Sequence, residues 1–396
     1  MNRVLPQIGC TALVLAVLLL GGSLRAVFKY LPAPGLVSAV MLGGGLGGYA
    51  ALLFAAHHSS LARVFLFRRP KLLCALLLLA IAAASYVIYP IADARRDQGA
   101  GSTADDAIIQ AAHDFLSSGA MYARTLPGGI PLSPGPGWVL LNVPLARSPW
   151  YWALSPLYLL VCLLIYWRLV GSAYQSAVVL CLLSTSLLFW ELLVTGHDLV
   201  ALGFALAALS MAAWKLSLDR DQGLLGPVAL GIVLGMIATS RLIFAPFPLL
   251  LALLAWKSNR KFALRLGGVG LLVAALLHAY FFATSDYYQP LHLWGRGKGA
   301  GWDLMALGMA AEIIALAYVY RYVGHRPAEW LYGVWLVLAV PLCFISLGEL
   351  RSVGWNFARW EGANYLFPTV PCYLLYVATS MCPPHDDVLK PVADES

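Results

Sequence analysis

Asp105 and Asp106 stand side by side near the start of a polar stretch, Gly101 to Leu145 (GSTADDAIIQAAHDFLSSGAMYARTLPGGIPLSPGPGWVLLNVPL), that also carries His113, Tyr122 and a dense Gly/Pro run. A carboxylate in such a setting can take the proton of a substrate hydroxyl, and a neighbouring His or Tyr can hydrogen-bond what is bound. Successive side chains on a helix diverge by about 100°, which disfavours a shared metal ion, and the pair is not a DxD motif; no metal ligands are assigned.

Ser102 or Thr103 can cap a helix that runs to about Ser118, where Gly119 can end it. Ile108, Ile109, Ala112, Phe115 and Leu116 then fall on one apolar face, which packs against the rest of the protein or the membrane surface. Asp105 lies four residues before Ile109 on that face and is the inward carboxylate; Asp106 lies with Gln110 and His113 on the polar side. Both aspartates also approximate capping boxes with Ser102 and Thr103, and acids suit a first helical turn. Catalysis and capping are therefore both open as roles for the pair.

Other polar residues punctuate apolar sequence. Glu191, Gly196, His197 and Asp198 meet at one short turn, and Asp198 either caps the span that follows or takes part in the site. Arg241 interrupts an apolar hairpin, where a guanidinium needs water or an anion; it is the leading contact for a phosphate, with snorkelling to the interface as the alternative. His278 and Glu312 fall inside apolar runs, where they line a polar pocket or bond to each other. Arg296 and Lys298, in a Gly-Arg-Gly-Lys-Gly run, and Arg351, Arg359 and Glu361, among Trp355 and Trp360, are further substrate-binding candidates. The aromatic residues there equally suit an interfacial belt.

What must position these groups is a membrane bundle. The chain has 396 residues, of which 61% are apolar and 11% charged, too few charges to solvate a water-facing surface of that size. About twelve apolar runs are long enough for helices that cross roughly 30 Å of hydrocarbon. They lie near Ile8–Phe28, Gly35–Ala56, Leu72–Ile91, Trp150–Leu169, Ala173–Thr195, Leu199–Trp214, Leu225–Ser240, Leu242–Trp256, Leu266–Ala283, Leu304–Tyr320, Trp330–Leu347 and Asn364–Met381, and the pair at 225–256 can also be one broken or re-entrant unit. The expected fold is all-α, a single transmembrane domain over residues 1–382 with an outer loop at 93–149 and a disordered cytoplasmic tail at 383–396. The first run is read as a retained helix rather than a signal peptide.

Lys and Arg cluster in alternate connections: Arg63, Arg68, Arg69 and Lys71; Lys215 and Arg220; Lys257, Arg260, Lys261 and Arg265; Arg321 and Arg326. The positive-inside rule then places both termini in the cytoplasm and the 93–149 loop outside. This distribution accounts for the net charge of +7 without a nucleic-acid partner. The seven cysteines lie in or beside apolar runs with no CxxC pair, which implies neither a disulfide framework nor a zinc site.

The order Asp105-Asp106-Ala107, an amphipathic helix through Leu116, Ser118-Gly119, Tyr122, then Ser133-Pro134-Gly135-Pro136-Gly137-Trp138 and Pro144 resembles the first outer loop of GT-C membrane glycosyltransferases. That superfamily includes bacterial arabinofuranosyl-, mannosyl- and aminoarabinose-transferases. The resemblance covers about 45 residues, since members share topology more than sequence. In this chain the loop follows the third apolar run rather than the first, and a second loop acid has no clear counterpart. The resemblance implies an enzyme of the bacterial inner membrane with its site facing the periplasm. It would move sugar from a polyprenyl-phosphate donor to a glycan, lipid or secreted-protein acceptor; the lipid-linked sugar is the donor substrate, no cofactor is assigned beside it, and metal use stays open. Asp105 and Asp106 would be its catalytic carboxylates, acting as base or positioning the acceptor, with His113, Tyr122, His197, Asp198, Arg241, His278, Arg296, Lys298, Arg351, Arg359 and Glu361 around the substrates. A transporter is the second reading, suggested by the hairpin at Arg241 and by Glu312.

The cation pattern makes a topological prediction: single-cysteine labels near Gly128 and Gly297 react from outside intact cells, and one near Asn259 reacts only after the membrane is opened. Labelling of Gly128 from the cytoplasmic side alone would invert the assignment.

Overall fold

The computed structural model describes residues 4–58, 69–95, 102–219, 223–290 and 301–381, and the description below concerns those. Arg296, Lys298 and the tail at 383–396 lie outside them. The described residues form helices joined by short turns, with no strand. In chain order the helices are α1 (Val4–Leu15), α2 (Leu24–Tyr30), α3 (Pro34–His58), α4 (Pro70–Ala94), α5 (Ala104–Ser118), α6 (Pro136–Ala146), α7 (Leu154–Leu169) and α8 (Ala173–Ser184). They continue as α9 (Leu187–Val194), α10 (Leu199–Ser217), α11 (Leu225–Ala238), α12 (Phe247–Trp256), α13 (Arg260–Thr284), α14 (Trp302–Tyr322), α15 (Pro327–Ser352) and α16 (Val370–Met381). A π-helical stretch, Ala16–Gly21, links α1 to α2 within the first span.

Eight helices or continuous helical stretches are long and apolar enough to cross a membrane, and a ninth crossing results if α8 and α9 are one span bent by 85°. These eight coincide with eight of the expected runs. The others differ for local reasons. The run at 173–195 breaks at Thr185-Ser186, and the polar groups freed by the break stay bonded: Ser186 Oγ accepts from Phe189 N (3.2 Å) and donates to Leu19 O (3.0 Å), while Ser23 Oγ accepts from Leu188 N (3.1 Å). Lipid offers no water to do this, so the break depends on serines from two segments. α11 has 14 residues and α12 has 10, about 21 and 15 Å of helix, so both stop short of a full crossing and the 225–256 unit is a shallow hairpin. The last run begins as a 3-10 helix, Glu361–Thr369, and only α16 is α-helical.

α10 is the centre of the bundle. Of its most apolar window 78% is buried, against 11% for α4, whose Leu76 and Leu79 face outward as lipid-facing residues do. α10 packs against α7, α11, α15 and α16 and against the Glu361–Thr369 turn. At Gly203 it comes so close that an added Cβ would sit 3.0 Å from Pro368 Cα.

The polar stretch forms α5, a turn at 126–130 and α6, a helix that its Gly/Pro content hid in the sequence; Pro136 occupies its first turn, where a missing N–H costs nothing. Gly119 ends α5 in the left-handed conformation (φ 75°), as expected. The expected caps fail: Thr103 makes no side-chain cap bond, and Ser102 Oγ accepts instead from Ala104 N at 3.0 Å. The buried positions of α5 are Asp105, Ala107, Ile108, Ala111, Ala112 and Asp114, while Ile109 and Phe115 are half-buried and Leu116 is exposed. The inward face is thus rotated from the expected one, toward Asp105 and Asp114.

α6 is fastened to the turn after α11. Thr239 Oγ1 accepts from both Gly137 N (2.9 Å) and Trp138 N (3.2 Å), and Gly135 N donates to Ser240 O (3.1 Å). A Cβ at Gly137 would lie 2.6 Å from the Met236 backbone, so this contact requires glycine. Thr239→Val strands two buried N–H donors and is expected to destabilise the protein by about 1–3 kcal/mol, read as a lower melting temperature in detergent; Thr239→Ser should retain most of the stability.

Candidate functional site

Five stretches distant in sequence meet at one end of the bundle: Tyr89 from the end of α4, Asp105 from the first turn of α5, Trp138 from α6, the Gly196–Asp198 turn before α10, and Arg241 after α11. Tyr151, from a 3-10 turn before α7, joins them with its ring 6.0 Å from that of Tyr89. The turn at Gly196 takes φ 69°, and a side chain there would run into Tyr89 and press on Asp105 Cβ at 3.3 Å. Glycine is therefore what lets the Asp198 turn approach α5.

Asp198 is fully buried. Its Oδ1 accepts from Arg241 Nη2 at 3.0 Å, its Oδ2 accepts from Trp138 Nε1 at 2.9 Å, and His197 Nδ1 lies 3.3 Å from Oδ1. Burial works against its charge, but the Arg241 guanidinium, His197 and the Trp138 N–H outweigh it and hold the carboxyl below its usual range. Asp198 starts α10 but makes no side-chain cap bond, so capping does not explain it. Arg241 is equally enclosed, its side chain 4% exposed, and its other donor, Nη1, goes to Ser240 O at 2.7 Å. Instead of snorkelling to an interface, this guanidinium is neutralised by Asp198.

Asp105 has the opposite surroundings. It is 1% exposed; Oδ2 accepts from Tyr89 Oη at 3.0 Å, and Oδ1 has no hydrogen-bond partner among the described residues. Burial, then the charge of neighbouring Asp106, push its carboxyl up to about 7 against the opposing effect of the Tyr89 hydrogen bond. Asp106, one residue on, is only half-buried, as the helical projection requires. A buried carboxyl with one free oxygen and a pKa near neutrality suits proton transfer, whereas Asp198, bonded on both oxygens and held ionised, suits a fixed electrostatic role.

Tyr122 donates to Pro134 O at 2.7 Å and lies against Tyr288 with the rings tilted by 35°, centroids 4.4 Å apart. His278 Nδ1 lies 2.5 Å from Tyr288 Oη, so its partner is Tyr288 rather than Glu312. Tyr122 is in electrostatic reach of Arg241, and His278 lies behind it through Tyr288. His113 points away, its side chain 75% exposed. Glu191 is taken by Arg25 at 2.5 Å, and Asp114 by the two guanidinium nitrogens of Arg124 at 2.9 and 3.1 Å. Arg351 binds exposed Asp303 at 2.8 Å, and Arg359 and Glu361 are exposed in the last loop. Among the described residues no three His, Cys, Asp or Glu side chains gather as a metal site would need.

Tyr89, Tyr151, Trp138 and Thr239 were not singled out from the sequence as site residues. Tyr89 and Tyr151 border apolar runs and look like interfacial aromatics, and Thr239 is eclipsed by Arg241 two positions on. No family model, curated protein or solved structure matches this chain.

Removing one partner of the Asp198–Arg241 pair leaves an uncompensated buried charge. Asp198→Ala and Arg241→Ala are each expected to lose about 3–5 kcal/mol, and the two in one chain to lose clearly less than their sum. Thermal unfolding of the four proteins in one detergent checks this; strictly additive losses would show that the two charges do not support each other.

Proposed function

We propose that the protein is a membrane glycosyltransferase of GT-C type, which moves a sugar from a polyprenyl-phosphate donor to an acceptor hydroxyl on the outer face of the membrane. The observation that carries the reading is Asp105: a buried carboxyl, one oxygen fixed by Tyr89 and the other without a partner among the described residues, in the loop whose residues resemble the catalytic loop of that superfamily. Inverting transfer needs such a group. The acceptor O–H proton passes to Asp105, its oxygen bonds to the anomeric carbon, and the bond from that carbon to the phosphate oxygen breaks with its electron pair leaving on the polyprenyl phosphate.

The Asp198–Arg241 pair is neutral as a unit, so its support is a fixed dipole and a rigid wall rather than a free cation for the phosphate. The phosphate contact assigned to Arg241 on sequence therefore passes to cations with free donors. Arg359, exposed in the last loop, is one of these among the described residues; Arg296 and Lys298, the other candidates from the sequence, lie outside them.

A transporter is the second reading, and one observation favours it. Glu312, midway along α14, has a buried Oε2 without a hydrogen-bond partner among the described residues, as a proton-carrying group would.

Purified protein given a panel of polyprenyl-phosphate pentoses, hexoses and amino sugars is expected to transfer one of them. Asp105→Asn should fold and lose at least about 10²-fold in rate, with Asp106→Asn milder. Because the base works deprotonated, the wild-type rate should rise with pH and level off above an apparent pKa near 7. Near-normal turnover by Asp105→Asn would remove Asp105 from the base role; a wild-type protein that transfers no sugar but moves a solute, with that movement lost in Glu312→Gln, would favour transport.

A further inference from the structure

Tyr151 is 3% exposed, and its hydroxyl has no hydrogen-bond partner among the described residues, although Asp198, Asp105, Tyr89 and Arg241 all lie within its electrostatic reach. Its ring is held firmly. The 3-10 turn Tyr151–Ala153 packs on α4 and α7, Ser85 Oγ donates to Trp152 O at 2.7 Å, and Trp152 meets Tyr86 edge-on at 5.1 Å between centroids. A hydroxyl enclosed on so rigid a turn cannot swing out to find a partner, and a buried oxygen that bonds to nothing forfeits the bond it had to water.

Asp105 Oδ1 is in the same condition within the same cluster. Tyr89 connects the two, its hydroxyl donating to Asp105 Oδ2 and its ring lying beside that of Tyr151. One atom is a phenol that can donate; the other is a carboxylate oxygen that can only accept. An alcohol satisfies both at once, since its O–H donates while its oxygen accepts. We infer that Tyr151 and Asp105 together form the binding site for the acceptor's hydroxyl group, with Tyr151 donating to the acceptor oxygen and Asp105 Oδ1 receiving its proton.

The glycosyl-transfer reading identifies the ligand as an acceptor; the existence of a hydroxyl site does not depend on it. The bond from Tyr151 occupies one lone pair of the acceptor oxygen and leaves another to attack the anomeric carbon. The phenol keeps its own proton throughout, so Tyr151 is a substrate-binding residue and Asp105 is the base. The alcohol can come from a glycan or from a lipid.

The test compares Tyr151→Phe with Tyr89→Phe. Both keep the ring; one removes a hydroxyl without a partner, the other a hydroxyl bonded to Asp105. Tyr151→Phe should melt at or above the wild-type temperature and Tyr89→Phe below it. Where turnover is measurable, Tyr151→Phe should raise the acceptor KM at least tenfold and leave the donor KM within twofold. Without turnover, binding of methyl glycosides in one arm and of monoacylglycerol in mixed micelles in the other is read by calorimetry. Binding in either arm that weakens at least tenfold in both Tyr151→Phe and Asp105→Asn supports the site and names its source. A Tyr151→Phe protein that melts as low as Tyr89→Phe, an unchanged acceptor KM, or no binding in either arm overturns the inference. Tyr151-dependent binding by a protein that transfers no sugar from any donor would end the transferase reading and leave the hydroxyl site standing.

Discussion

Asp198 and Arg241 are closed from solvent within a bundle whose outer surface is apolar, and in such surroundings a lone charge is far costlier than a matched pair. Much of the site follows from that match. To reach Asp198, Arg241 must sit on a turn that stops inside the bundle, which is why α11 and α12 are too short to span. The same turn presents Thr239 and Ser240 to the backbone of Gly135, Gly137 and Trp138, and the Trp138 indole closes on the free oxygen of Asp198. One ion pair thus joins the central helix, the shallow hairpin and the Gly/Pro-rich segment. The N–H groups of Gly135, Gly137 and Trp138 at the junction are bonded within the protein, as hydrocarbon surroundings demand.

Two buried aspartates a short distance apart are thereby given different chemistry. Asp198 has both oxygens occupied by N–H donors and a guanidinium beside it, so it stays ionised and static. Asp105 has a phenol on one oxygen and, among the described residues, no well-formed hydrogen bond on the other, with a second acid next to it, so its proton is held near neutrality. The difference lies in which donors the fold supplies to each, since both are carboxylates at the start of a helix.

The sequence showed the apolar spans well because about twenty consecutive apolar residues can be solvated by little besides lipid. It also showed which aspartate turns inward, since a helical projection needs only local spacing. Asp198 and Arg241 stood out because charge is rare in such runs; their pairing did not, because it joins positions 43 apart. Tyr151 and Tyr89 were invisible for a different reason. An aromatic residue at the end of an apolar run is what any membrane interface selects, and only the three-dimensional arrangement separates a tyrosine that faces headgroups from one enclosed against a carboxylate. The break at Thr185-Ser186 was equally hidden, since the serine that completes it, Ser23, lies in the first span.

The loop around α5 is held by its own contacts as well. Asp114 grips Arg124 with two bonds, Gln110 donates to Thr125 O at 3.3 Å, and Tyr122 is tied to Pro134 O. These brace the far end of α5 while Tyr89 and the Gly196 turn brace its start, so Asp105 is fixed from both sides. A base held this way loses little freedom when a substrate arrives, and the bond it still lacks is the one that a substrate can bring. The polar atoms that have no partner among the described residues, Asp105 Oδ1 and the Tyr151 hydroxyl, therefore lie on segments braced by several contacts, as a binding site requires.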